Sequence, residues 1–490
     1  MASSSSMLTP PAAVTVCSSS KSKGKTLEQQ GVSGWGCDTY TPESARVFQE
    51  WLTSRRLPPQ KLVLQPVKSG GRGLVSKANI RRGEKLLYVP FSLVITSDSE
   101  WSNPECGSYL SAAGVPDWPF LATYLISEAC QGTNSPWHSY ISALPRQPES
   151  ILLWSESEVN KYLFASSVYG QALERISEVQ KTFDSMDSSI YRKHSDLFPR
   201  KFFNIQSFKW AFGILFSRLV RLQSLNEQVA LVPWADMLNH SSEVKACLDY
   251  EEKSNTIILT TDQAYQPSEQ VFISYGEKSK GEILLSYGFV SVDTHPGDSL
   301  NVSLSLSPND EMLEAKQAVL HEYGLSTPCK YPVTISGIPS QLFAFAYLAA
   351  SPSTLQSYYS EMAAVAASKG GLKLDGFRPF AFDVPLDVDI QAYQTVLDTI
   401  EAALRKVSKY LEDKGKDNIV MSNESDAKNA KLRMASILCT SEQRILQRAQ
   451  YIALIVPKII RTKLRELLAR KTSSGDGKSS LLYGLRKLFN

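Results

Sequence analysis

Apolar positions along the chain follow two periods, and where one gives way to the other the chain divides. Thr41–Leu57 has the helical period, with Val47, Phe48, Trp51 and Leu52 on one stripe, Thr41 as cap and Pro42 in the first turn. Short apolar runs follow at Leu62–Leu64, Gly73–Val75 and Lys85–Val89, separated by the turns Ser69–Gly73 and Ile80–Glu84, and these predict strands. The period then returns to helical across residues 97–206. Pro119–Cys130 and Glu156–Phe183 are the clearest cases, the second introduced by a Ser155/Glu158 capping box. Ser207–Leu222 predicts a further helix, with Ser207 as cap and a stripe of Phe208, Ala211, Phe212, Leu215, Leu219 and Leu222. Strands are expected again at Cys247–Tyr250, Thr256–Thr260 and Gln270–Gly276, where Val271, Ile273 and Tyr275 share one face. Beyond about residue 296 the texture is helical: Asp310–Tyr323, Ser340–Ala349, Asp389–Leu411 and the amphipathic Ala427–Ile455. Lys414–Asp426 reads as a loop, and Pro457 as a break or kink.

Composition narrows this picture without redrawing it. A chain of 490 residues with 43% hydrophobic and 21% charged positions suggests two or three soluble domains. A net charge of +3 gives no global preference for nucleic acid or membrane, and no apolar run reaches the roughly 18 residues of a span. The seven cysteines are scattered and form no CxxC pair, which argues against a disulfide framework and against a metal site. Residues 1–34 are rich in Ser, with Lys21, Lys23 and Lys25 and no acid before Glu28, the composition of an organellar transit peptide; the alternative is a disordered tail. The 461–490 stretch is basic, as a solvated face and tail or a partner-binding surface.

The candidate chemistry gathers in Leu231–Ser241, where Asp236, Asn239 and His240 interrupt an apolar run and need partners if buried. Arg218 edges the preceding helical stripe and calls for a carboxylate, either Asp236 or that of a ligand. Downstream come Val271-Phe272-Ile273-Ser274-Tyr275-Gly276 and Leu285-Ser286-Tyr287-Gly288-Phe289. With the Asn-His step, these motifs resemble the SET-domain protein methyltransferases, in particular the plant Rubisco large-subunit and fructose-bisphosphate aldolase lysine methyltransferases. The resemblance implies an α+β fold: a SET-domain β-fold over 45–295, with a helical insert at about 97–206, then an all-helical substrate-binding domain over 300–460. It implies S-adenosylmethionine as cofactor, no metal, and a protein substrate met at a lysine side chain. The chain is read as a monomer of the chloroplast stroma that binds no nucleic acid. Tyr275 takes the catalytic role. Gly70, Gly71, Arg72, Arg218, Asn239, His240 and Ser279 take the cofactor. Arg218, Asp236, Tyr250, Tyr275 and Tyr287 line the substrate side.

Methyl transfer from a sulfonium needs neither a nucleophilic side chain nor a metal. It needs an aligned amine, and a lysine amine with a reference pKa of about 10.4 must first lose its proton. Apolar aromatic walls favour the neutral form. Two positions depart from the family pattern. Lys280 stands where an asparagine is usual, which weakens a cofactor contact if that asparagine makes one, and Ser268 stands for the usual glycine before Glu269. Two alternatives therefore stand beside the lysine methyltransferase: a catalytically weak scaffold, and an enzyme of the same fold directed at histidine.

Overall fold

The computed structural model describes residues 34–38, 40–67, 71–293, 295, 297–368, 384–418 and 426–472. The expected transit segment, Gly70 and the end of the basic tail lie outside these residues. Small sheets frame the first half. Leu62–Pro66 pairs antiparallel with Arg72–Ser76, setting Gln65 opposite Gly73. Thr256–Thr260 is the central strand between Lys85–Pro90 and Leu248–Glu251. Val220–Leu222 pairs with Gln228–Ala230, and Asn239–His240 runs parallel to Phe272–Ile273. The Val271 amide donates to the Leu74 carbonyl, tying the last of these ladders to the first.

Between the two sets of strands lies the expected helical block, including Asp117–Cys130, Glu156–Leu163, Tyr169–Met186 and Ile205–Arg218. Its apolar faces share one core with the strands, centred on buried residues such as Leu87, Tyr124, Phe208, Leu231 and Ile257. A second core, built around Val333, Leu342, Phe345, Val396, Ile400 and Leu446, fills the C-terminal half. That half is mostly helical and adds an antiparallel strand pair, Ser299–Leu304 with Cys329–Thr334, which the sequence reading lacked. A third cluster joins the halves: Val159, Leu163 and Ala172 of the insert pack with Leu284 and Leu285 and with Ala435 and Leu438.

Several boundaries differ from the sequence reading, each for a local reason. The helix expected over Ser207–Leu222 is Ile205–Arg218. Asn204 caps it, accepting from the Gln206 and Ser207 amides, and the chain leaves the helix at Leu219 to pair as a strand. Ser207 is therefore inside the first turn, not its cap. The predicted Glu156–Phe183 helix is two, with the capping box as expected and a break at 164–168, where Ser166 and Ser167 turn to bind Glu442. Helix Leu386–Asn418 includes the first residues of the loop expected from Lys414, and residues 419–425 of that stretch lie outside the described residues. Pro457 does not end the last helix, which runs from Asp426 to Thr472; one lost amide donor is a small deficit in 47 residues. Val47, placed on the buried stripe of the first helix, is 46% exposed, whereas Phe48 and Leu52 are buried.

Candidate active site

The Leu231–Ser241 stretch turns sharply at Trp234, whose φ of 83° is positive and rare for a bulky residue. After it, Ala235–Met237 forms a single helical turn and Leu238 returns to extended backbone. This reversal sends the Asp236 carboxylate inward, where its side chain is 1% exposed. Arg218, the last residue of its helix, meets it there: Nη1 donates to the Asp236 carbonyl at 2.8 Å and to Oδ2 at 3.1 Å. The Tyr140 hydroxyl donates to the same oxygen at 2.8 Å. Burial alone would lower the Arg218 guanidinium, but Asp236, with Tyr140 and Tyr275, outweighs it and holds Arg218 above its ordinary value. Asp236 is thus one of the two partners the sequence allowed for Arg218, taken by Nη1, and Nε is left over.

A second guanidinium lies beside this pair. Arg72 stands over the Tyr40 ring at 4.7 Å, and its Nε faces the Met237 sulfur at 2.9 Å. Burial and the neighbouring Arg218 pull it down to about 10, against the opposing pull of Asp236. Two arginines thus share one carboxylate. Arg72 Nη2, Arg218 Nε and the Tyr40 hydroxyl are buried without protein partners. Buried donors left unpaired in a cationic setting are suited to receive an anionic group such as a carboxylate.

Asn239 and His240 are spent partly on the protein itself. Asn239 Nδ2 donates to the Arg72 carbonyl at 2.9 Å, pinning the glycine-rich turn to the Asn-His step. The approach is close enough that a Cβ on Gly73 would lie 2.9 Å from that nitrogen. The Tyr275 amide donates to His240 Nδ1 at 3.1 Å, while the Ile273 carbonyl, 3.3 Å from the same nitrogen, already accepts from the Ser241 amide. Nδ1 is therefore the acceptor and the ring proton sits on Nε2. Burial holds the imidazole below its usual value, consistent with a neutral ring.

Tyr275 lies on the buried face the alternation predicted. Its hydroxyl donates to the Leu238 carbonyl at 2.8 Å, and its ring stacks on His240 and, at 4.4 Å and 23°, on Tyr287. Burial, only partly offset by Arg218, holds its phenol far above the usual range, so the hydroxyl keeps its proton. Tyr287 ends the Lys280–Tyr287 helix, which Gly288 closes in a left-handed turn. Arg218, Asp236, Asn239, His240, Tyr275 and Tyr287 are thus brought together by hydrogen bonds, ring stacking and charge. Tyr250 is not joined to them: its ring meets Phe91 edge-on and its hydroxyl donates to Asn255, in its own hairpin. The Ser279 side chain caps the helix through Glu282, which leaves its cofactor role without geometric support. Gly71, with φ of 72°, opens the turn toward Arg72. Sequence reasoning missed Tyr40, Tyr140 and Met237. Nothing local distinguishes these residues, and only the fold carries them to the arginines.

Among the described residues no group of three or more His, Cys, Asp or Glu is placed to hold a metal, and no helix is long and apolar enough to cross a membrane. The donors present fit S-adenosylmethionine: two cationic side chains for its carboxylate, and a glycine turn that lets a ligand approach the backbone.

Comparison with known proteins places these features. Residues 71–276 match the SET domain, and residues 307–446 match the Rubisco LSMT substrate-binding domain. The chain is 32% identical over 263 residues to the chloroplastic [fructose-bisphosphate aldolase]-lysine N-methyltransferase of Arabidopsis thaliana, covering 51% of this chain and 52% of that one. It is 29% identical over 297 residues to SET domain-containing protein 4 of Mus musculus, covering 57% and 66%. The matches thus span about half to two thirds of these relatives' length. The structure of Rubisco LSMT bound to AdoMet shares the fold, with a TM-score of 0.68 at 22% identity, over 91% of this chain and all of that one.

Proposed function

For a chain that carries a SET domain followed by a Rubisco LSMT substrate-binding domain, we propose S-adenosylmethionine-dependent N-methylation of a lysine on a chloroplast stromal protein, of the Rubisco large-subunit or aldolase class. The observation that carries this reading is the Tyr275–Tyr287 stack set beside the Arg72–Arg218–Asp236 cluster.

Arg72 and Arg218 would hold the cofactor's carboxylate, with the Gly71–Gly73 turn and Asn239 beside them. The cofactor supplies an activated methyl group. The two tyrosine rings form apolar walls that admit a lysine stem and exclude water. A protonated amine is disfavoured there by desolvation. The Tyr275 hydrogen is committed to Leu238, so its oxygen lone pairs are free to accept from the amine N–H and aim the nitrogen lone pair. Lys280, whose presence motivated the scaffold alternative, has its ammonium bonded to Asp298, so its charge is neutralised away from the tyrosines.

Calorimetric titration of the full chain with S-adenosylmethionine is the test, with Asn239→Ala as the weakened control. Micromolar binding, lost or much reduced in the control, is expected. Incubation with stromal extract and labelled cofactor, followed by mass spectrometry, should then locate the methyl group on a lysine. No binding at millimolar cofactor overturns the enzyme reading, and label on a histidine overturns the lysine assignment.

A further inference from the structure

The Lys280–Tyr287 helix carries one wall of the proposed lysine channel at its last residue, and its first residue is bound to the C-terminal half. Lys280 is 8% exposed, and its Nζ donates to Asp298 Oδ2 at 2.9 Å while its amide donates to Oδ1 at 3.0 Å. Asp298 is also buried and accepts from the Ser299 amide, at the start of the Ser299–Leu304 strand. Ser441, on the long Asp426–Thr472 helix, donates its hydroxyl to Asp298 Oδ2 at 2.6 Å. One carboxylate thus bridges the helix bearing Tyr287, the Ser299–Leu304 strand and the long Asp426–Thr472 helix.

The other end of the short helix is just as confined. Arg175 of the insert donates to the Leu285 carbonyl at 2.7 Å. Gly288 abuts the Glu149 backbone so closely that a Cβ would overlap its carbonyl. A helix of eight residues is only about 12 Å long, its two ends joined by one continuous ladder of backbone hydrogen bonds. A shift at Lys280 therefore reaches Tyr287, and with it the ring stack on Tyr275.

We propose that Lys280 is a positioning residue: through Asp298 and Ser441 it couples the substrate-binding domain to the placement of Tyr287, and so to the width of the lysine channel. The proposal rests on the function put forward above. It gives a role to a lysine that the sequence reading counted as a defect. Lys280 and Asp298 are both charged and buried, so the pair is sensitive to small displacements of the long helix that holds Ser441. A substrate protein that docks on the C-terminal half and moves that helix would register at the tyrosine pair.

The test reads Tyr287 directly. A 3-fluorotyrosine placed at 287 in the full chain gives a single fluorine resonance that reports the ring stack and does not depend on turnover. Lys280→Met and Ser441→Ala should both shift or broaden that resonance, and Lys280→Arg should restore it. Thr399→Ala, at the same junction but outside the bridge, should leave it in place. In the methylation assay, Lys280→Met should lower kcat about tenfold with cofactor affinity unchanged and should alter the ratio of mono- to trimethylated product. A resonance identical in wild type, Lys280→Met and Ser441→Ala overturns the coupling, whatever the activity. Should Lys280→Met fail to fold, Ser441→Ala, which removes one hydrogen bond, decides the matter alone. A normal resonance response in a protein that binds no cofactor would leave the coupling standing and overturn the proposed activity instead.

Discussion

The Tyr275 hydroxyl has one protein partner, the Leu238 carbonyl, and a ring fixed between His240 and Tyr287. Replacing it with phenylalanine keeps both stacks and removes one hydrogen bond, about 1 kcal/mol of stability. Tyr275→Phe should therefore fold and bind S-adenosylmethionine normally, with methyl transfer slower by about a hundredfold. Single-turnover kinetics with labelled cofactor would measure this, and wild-type turnover would remove Tyr275 from the catalytic role. Asp236 behaves differently, because its carboxylate is the common counter-charge of Arg218 and Arg72. Asp236→Asn should destabilise the protein by about 3–5 kcal/mol, the usual consequence of leaving buried cations unpaired. Urea unfolding would show it, and an unchanged midpoint would mean the arginines find other partners. Asp236, Asn239 and His240 stood out in the sequence because polar residues in an apolar run must be accounted for, whereas Tyr275 stood out only through the motifs around it and the resemblance they carry. Tyr40 and Tyr140 did not, since a tyrosine near a helix or inside one has many ordinary uses, and only the tertiary fold brings these two to the arginines.

At the scale of elements, two backbone positions give opposite expectations. Ser268 holds φ at 72°, the left-handed region, at a turn whose amide is tied to the Ser76 carbonyl. This explains why a glycine is usual there in the family: the chain needs the conformation whichever residue supplies it. Ser268→Gly should raise stability by up to about 1 kcal/mol, the relief of left-handed strain less the glycine's added entropy in the unfolded chain. Gly288→Ala should cost about 2–4 kcal/mol, from the strain of a φ of 77° and a Cβ placed 1.2 Å from the Glu149 carbonyl oxygen. Denaturant midpoints at constant slope would test both, and equal effects would mean the turns relax freely. The boundaries that sequence reading missed share a cause with these turns. Asn204 outcompeted Ser207 as a cap because its carbonyl reaches two amides. The break at 164–168 depends on a glutamate 275 residues away in sequence, which no local window contains.

That glutamate sets the behaviour of the whole molecule. Glu442, on the long C-terminal helix, is 3% exposed and lies where the insert meets the C-terminal half. One carboxyl oxygen, Oε1, accepts from the Ser166 hydroxyl and from the Ser167 amide and hydroxyl, while Oε2 is buried with no partner. Burial, reinforced by the nearby Asp298, pushes its carboxyl up to about 7 despite the serine hydrogen bonds that pull it down. An acid whose folded-state value is raised favours the fold while protonated in both states. Its contribution is therefore fully present below the unfolded value near 4.5 and is lost as the pH climbs through about 7. Over that window the loss is of order 3 kcal/mol. Glu442→Gln keeps an oxygen for the serines and carries no charge, so it should flatten the stability profile between those limits and leave the variant more stable than the native chain at pH 8. Thermal unfolding of both proteins from pH 4.5 to 8 would show this as two curves that meet at the acid end, diverge as the pH rises towards 7 and stay apart above it. Parallel curves would place the charge of Glu442 in solvent contact and remove it from the seam. The seam is where sequence reading had least to work with. Each half of the fold shows its own period along the chain, whereas the contacts that join the halves are single residues, Lys280 with Asp298 and Ser166 with Glu442, whose meaning exists only after both cores have formed.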